Sequence, residues 1–107
     1  MILREWHGRV PHDKADAYLE FLDRKGTLDY AATPGHRGTW VLLDTESEPG
    51  IAEFTLLTLW TSRDAIRAFA GEDIGRAVYY PEDDTFLLEK PERLRHYTVM
   101  RTPAEMS

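Results

Sequence analysis

The ten residues from Ile51 to Trp60 (Ile-Ala-Glu-Phe-Thr-Leu-Leu-Thr-Leu-Trp) constrain this chain more than any other segment. Their β-branched and aromatic content, with Pro49-Gly50 just before them, reads as a strand. One face carries Ala52, Phe54, Leu56, Thr58 and Trp60, and the other carries Ile51, Glu53, Thr55, Leu57 and Leu59. Both faces are largely apolar toward the C-terminal end, so the strand needs cover on both sides.

The remaining segments supply cover for one side. Ile2 to Val10 reads as a first strand stopped by Pro11. Asp13 is placed to cap a helix carrying Ala15, Tyr18, Leu19 and Leu22 at helical spacing, with Gly26 ending it. Leu28, Tyr30 and Ala31 form one more helical turn before Pro34-Gly35. Thr39 to Asp44 is the second strand, joined to the third by the polar turn 46–50. Ser62 caps a second helix whose stripe is Ala65, Ile66, Phe69 and Ala70, and Gly71 suits its end. Ile74, Ala77 and Val78 suggest a short helical piece stopped by Pro81, while Phe86-Leu87-Leu88 has no assignment. Leu94 to Arg101 is the last strand.

The order β-α-β-β-α-β is the ferredoxin-like arrangement. It predicts an α+β fold with a four-stranded antiparallel sheet, both helices on one face, and the first and third strands central. Residues 1–101 make one domain and 102–107 a frayed tail. No segment is left for the second face of the sheet, so the pattern predicts a homodimer built on it.

Charge and cysteine usage remove several functions. The net charge of −6 over 107 residues argues against nucleic-acid and anionic-membrane surfaces, which need clustered Lys and Arg. The absence of cysteine removes disulfides, thiolate catalysis and Cys-ligated metal sites. The N-terminus lacks the basic-then-apolar pattern of a signal peptide, and no apolar run reaches the ~20 residues that span a bilayer. The expected location is the cytoplasm.

His7, His12, His36 and His96 show no close metal-ligand spacing, and no phosphate-cradling or nucleophile-elbow motif occurs. His7 and His96 fall on the first and last strands, which neighbour each other in this topology. They are the candidate general bases, or axial ligands in a cleft. The plainer alternative is that both are half-exposed sheet residues. His12 and His36 fall in loops and are expected at the surface. Trp60, Tyr79 and Tyr80 are the candidate lining of a pocket for a flat aromatic ligand, against the alternative of core or interface packing. His7, Trp60 and Tyr80 are expected to share one pocket, with His96 as a fourth member. The acidic run Glu82-Asp83-Asp84 could ligate a metal through oxygens, but a solvated turn is the simpler reading.

The run Leu56-Leu57-Thr58-Leu59-Trp60-Thr61-Ser62-Arg63-Asp64-Ala65-Ile66-Arg67-Ala68-Phe69 resembles the antibiotic biosynthesis monooxygenase family. Ala77 to Asp84, with His96-Tyr97, is similar to an uncharacterised bacterial branch of it. The resemblance covers nearly the whole chain. It implies a dimeric α+β barrel of two ferredoxin-like sheets packed face to face. Some members oxidise phenolic substrates with molecular oxygen and no metal or flavin. Of the residues they use, the Trp matches at Trp60. The Asn, Tyr and Arg fall at Leu56, Ile66 and near Tyr80. Haem-degrading members use an Asn, a Trp and a His that fall at His7, Phe69 and Tyr79.

Three functions follow. The first is a cofactor-independent oxidoreductase or monooxygenase acting on a small aromatic or quinone-like compound. The second is a non-catalytic dimeric module that binds or delivers such a molecule. The third is a haem-binding protein, with a tyrosine as iron ligand.

Overall fold

The computed structural model describes residues 1–103. Four strands, β1 (Ile2–Pro11), β2 (His36–Asp44), β3 (Ile51–Trp60) and β4 (Arg95–Thr98), form one sheet in the order β2-β3-β1-β4. Every neighbouring pair is antiparallel. β1 and β3 are therefore central, as the ferredoxin-like order requires. β3 runs from Ile51 to Trp60, the bounds its side-chain pattern implies.

Helical elements cover one face of this sheet. A short 3₁₀ turn (His12–Lys14) leads into α1 (Ala15–Phe21), a wide π-helical turn (Leu22–Gly26) and α2 (Thr27–Ala31). α3 (Arg63–Ala70) follows β3 directly. Ser62 caps it by accepting a hydrogen bond from the Ala65 amide at 3.1 Å, and Gly71 closes it at φ 90°.

Alternation along the central strands decides what faces the helices. Ile2, Arg4, Trp6, Gly8 and Val10 of β1 are buried, and so are Ala52, Phe54, Leu56, Thr58 and Trp60 of β3. Together with Tyr18, Phe21, Leu22, Tyr30 and Ile66 they make the core. Gly8 belongs to this face for a steric reason: a Cβ there would lie 2.1 Å from the Trp6 ring. The opposite face presents Leu3, Glu5, His7, Trp40, Leu57 and Tyr97. It stays open, because no helix among the described residues crosses it.

Several boundaries differ from the sequence reading. Pro11 is the last residue of β1 rather than its stop, since β4 pairs only with Ile2 to Glu5 and leaves no second strand beside it. Asp13 makes no capping hydrogen bond, and the helical path passes through Gly26 in right-handed geometry. Burial of Leu22 and Tyr30 on either side outweighs the cost of about 1 kcal/mol for a helical glycine. β2 starts earlier, at His36, with an irregularity before Gly38. β4 is shorter than Leu94 to Arg101.

The helical piece expected at Ile74 to Val78 does not form. Residues 71–94 make an irregular strap across the helical face, with one 3₁₀ turn (Pro81–Thr85) and an isolated bridge between Arg76 and Arg93. Of the expected tail 102–107, residues 104–107 lie outside the described residues. No helix among the described residues is long and apolar enough to cross a membrane.

Candidate ligand-binding site

A small cavity of about 30 Å³ lies between the sheet and the helical layer. Its floor is Arg4 and Trp6 of β1 and Leu56 of β3. Tyr18, Phe21, Leu22, Gly26 and Tyr30 of the first helical stretch wall it. Val78, Tyr79, Tyr80 and Asp83 of the strap close it. A space of that size admits water.

The strap is fastened by phenols and carboxylates. Asp83, only 3% exposed, accepts from the Tyr18 hydroxyl at 3.1 Å through Oδ1 and from the Tyr80 amide at 2.8 Å through Oδ2. The Asp83 amide returns a bond to the Tyr80 carbonyl at 3.0 Å. The Tyr80 hydroxyl donates to Asp29 of α2, and the Lys25 ammonium sits 5.2 Å from the Tyr80 ring. The Trp6 indole donates to the Tyr79 hydroxyl at 3.2 Å, which donates to the Pro91 carbonyl at 2.5 Å.

Burial sets the electrostatics. It raises the Asp83 carboxyl above the usual carboxylate range, although its two hydrogen bonds pull the other way. Burial also raises the Tyr18, Tyr79 and Tyr80 phenols, so they remain protonated near neutral pH. Arg4 is 2% exposed and burial weakens its charged form, yet a guanidinium stays protonated in proteins. One nitrogen, Nη2, donates to the Arg76 carbonyl at 3.1 Å and the Ile74 carbonyl at 3.4 Å, and Cζ lies 5.7 Å from the Phe69 ring centroid. The arrangement offers aromatic walls, one buried cation and one buried carboxyl.

The structure brings Tyr79 and Tyr80 together at this cavity, but the pocket expected to join them with His7 and Trp60 does not exist. His7 lies on the open face, because the buried positions of β1 are the even ones. Its Nδ1 is 2.9 Å from Thr55 Oγ1 and its Nε2 is 3.6 Å from Glu5. It borders a separate hollow of about 400 Å³ with Glu5, Arg93 and Arg95. Trp60 is a core residue with no exposed surface; its indole donates to Thr58 at 2.8 Å. It packs against Tyr30, Phe69 and His36 rather than lining the cavity.

His96 is on the helix-covered face, directly opposite Arg4 across β1 and β4. Burial, then the Arg4 and Arg63 charges, lower it to about 4, so it is neutral near pH 7 and a weak base. His36 is half-buried: it opens β2 stacked on Tyr30, with ring centroids 6.2 Å apart. His12 is exposed.

Arg4 and Asp83 are the cavity residues that the sequence reading passed over. Both left signals. Arg4 keeps the parity of Ile2, Trp6 and Val10, and Asp83 stands three residues after Tyr80, ahead of which Pro81 starts a turn. The acidic run 82–84 is thus not simply a solvated turn: Glu82 and Asp84 are exposed and Asp83 is core. Among the described residues no group of three or more His, Cys, Asp or Glu could hold a metal ion.

No protein-family model and no curated protein matches the sequence. Solved structures do match. A proposed antibiotic biosynthesis monooxygenase from Nitrosomonas europaea is 19% identical, with a TM-score of 0.66 over 94% of this chain and 100% of that one. A second protein so described, from Bacillus cereus, is 15% identical with a TM-score of 0.63, covering 96% of each chain. An arginine-to-serine variant of MhuD, with two manganese protoporphyrin IX molecules per active site, is 16% identical with a TM-score of 0.61. That match covers 97% of this chain and 99% of the other. The residues lining this cavity do not fit a porphyrin: no histidine is among them, and the Tyr79 oxygen is engaged by Trp6 and Pro91. What the likeness carries is architecture, and the resemblance read from the sequence holds at that level: this chain has the α+β fold of the antibiotic biosynthesis monooxygenase proteins.

Proposed function

We propose that this chain binds a small aromatic molecule between its sheet and its helical layer and oxidises it with molecular oxygen. The observation that carries this reading is the aromatic-walled cavity formed by Trp6, Tyr18, Phe21, Tyr30, Tyr79 and Tyr80, with Arg4 as a buried cation. The fold shared with proteins described as monooxygenases supports the class of reaction. A naphthol-like substrate loses its hydroxyl proton to water. The electron-rich ring then reacts with oxygen, gaining one oxygen atom as the second quinone carbonyl while the other leaves as water. Low local dielectric strengthens the pull of Arg4 on the developing phenolate. The ring enters by displacing the strap, whose cover over the cavity rests on the Tyr18–Asp83, Tyr80–Asp29 and Trp6–Tyr79 contacts.

The test is oxygen uptake with 1-naphthol, read beside calorimetric binding. Consumption above the protein-free rate, with naphthoquinone as product, is the expected result. Binding without uptake would leave a non-catalytic binding module and overturn the oxidative part.

We also propose that a second copy covers the open face. Leu42 and Tyr97 are 45% and 42% exposed there, and Leu3, Trp40, Leu57 and Leu59 border a groove of about 320 Å³. A stable interface needs about 1,000 Å² or more, and this face is the broad apolar surface available for it. Sedimentation at micromolar concentration is expected to give a dimer, and Leu57→Glu a monomer. A wild-type monomer would rule the proposal out.

A further inference from the structure

Arg4 is a buried cation with no carboxylate partner among the described residues. Its bonds go to two backbone carbonyls, and its Nε has no partner among the described residues. A charge taken out of water without a counterion is strongly destabilising, so its retention calls for a reason. Across the strand pair, His96 has the same deficit: its Nε2 is buried and unpartnered among the described residues. The carboxylate bordering the cavity, Asp83, uses its oxygens on Tyr18 and the Tyr80 amide. An ordered water could satisfy a nitrogen but would leave the charge uncompensated.

We propose that Arg4 anchors a planar anionic oxygen group, a carboxylate or a phenolate, carried by the aromatic ligand. This rests on the aromatic-binding reading above and names the ligand class. The planar guanidinium suits a planar oxygen anion better than an ammonium would. The cavity as it stands is too small for a ring, which places the anion at Arg4 and the ring under the displaced strap.

The experiment is isothermal titration of the full chain at pH 7 with three probes. These are 2-naphthoate, 2,4-dinitro-1-naphtholate (ionised at this pH) and the neutral 2-naphthylmethanol. At least one anion is expected to bind wild type ten-fold or more tighter than the alcohol, and which anion wins identifies the oxygen group. In Arg4→Met that preference falls to within two-fold; Arg4→Lys retains part of it. The wild-type comparison stands even if the variants fail to fold. Equal affinity for anions and alcohol overturns the Arg4 proposal and leaves the aromatic site. No binding of any probe overturns both.

Discussion

The two faces of the sheet are made from the same strands and hold polar groups in opposite ways. On the helix-covered face, Ala52, Phe54, Leu56, Thr58 and Trp60 are each 4% exposed or less. The charged residues there, Arg4 and Asp83, are held by fixed hydrogen bonds, and Arg4 Nε has no partner among the described residues. On the open face, charged and polar side chains pair across strands beside water: Glu5 accepts from Tyr97 at 3.0 Å, and Arg9 bridges Glu48 and Glu89. Exposed ion pairs of that kind contribute little to stability. A polar group on the covered face is therefore costly unless it does something, whereas one on the open face needs no explanation beyond solubility.

That contrast can be broken most directly with two alanines on one strand. Phe54→Ala, on the covered face, is expected to cost about 3–5 kcal/mol. Leu57→Ala, three residues on and half-buried on the open face, is expected to cost about 1 kcal/mol in the monomer. Urea midpoints measure both, and equal shifts would show that the faces are misassigned. A second pair compares carboxylates. Asp83→Ala leaves the buried Tyr18 hydroxyl unpaired and is expected to cost about 1–3 kcal/mol. Glu53→Ala on the open face should stay within about 0.5 kcal/mol by the same measurement.

A further effect is a pH dependence. His96 is lowered to about 4 in the folded chain from 6.5. Between these values the unfolded chain binds the extra proton, so stability falls as pH drops from 6.5 toward 4 and levels off below. The raised Asp83 has the opposite sign, because the folded chain then holds the proton more tightly and its ionisation works against folding as pH rises. The difference between wild type and His96→Leu isolates the imidazole. A difference that does not change between pH 4 and 6.5 would contradict its burial as a neutral group.

Much of the fold was legible without coordinates. β3, the Ser62 cap and the Gly71 stop are local features, and each rests on residues adjacent in the chain. The element order then limits the sheet to one topology. The candidate site was legible only in part. Tyr79 and Tyr80 stood out through Pro81, but His7 was grouped with them by strand proximity alone. One residue of parity on β1 sends a side chain to the other face. Ile2, Trp6 and Val10 already carried that parity, and reading it would have exchanged His7 for Arg4.

The strap was not legible, because nothing local holds it. Residues 71–94 follow neither a helical nor a strand period. Their path depends on partners far along the chain: Tyr18 for Asp83, Asp29 for Tyr80, Arg9 for the Leu88 amide. The sequence by itself determined the strands, the helices and the existence of an apolar face too large to leave bare, since these follow from periodicity and caps. Only the tertiary structure decided that Arg4 is buried without a counterion, that Asp83 leaves its acidic run for the core, and that Trp60 packs as core beside the cavity instead of lining it. Burial and long-range pairing are properties of the assembled layers, and no short window of residues contains them.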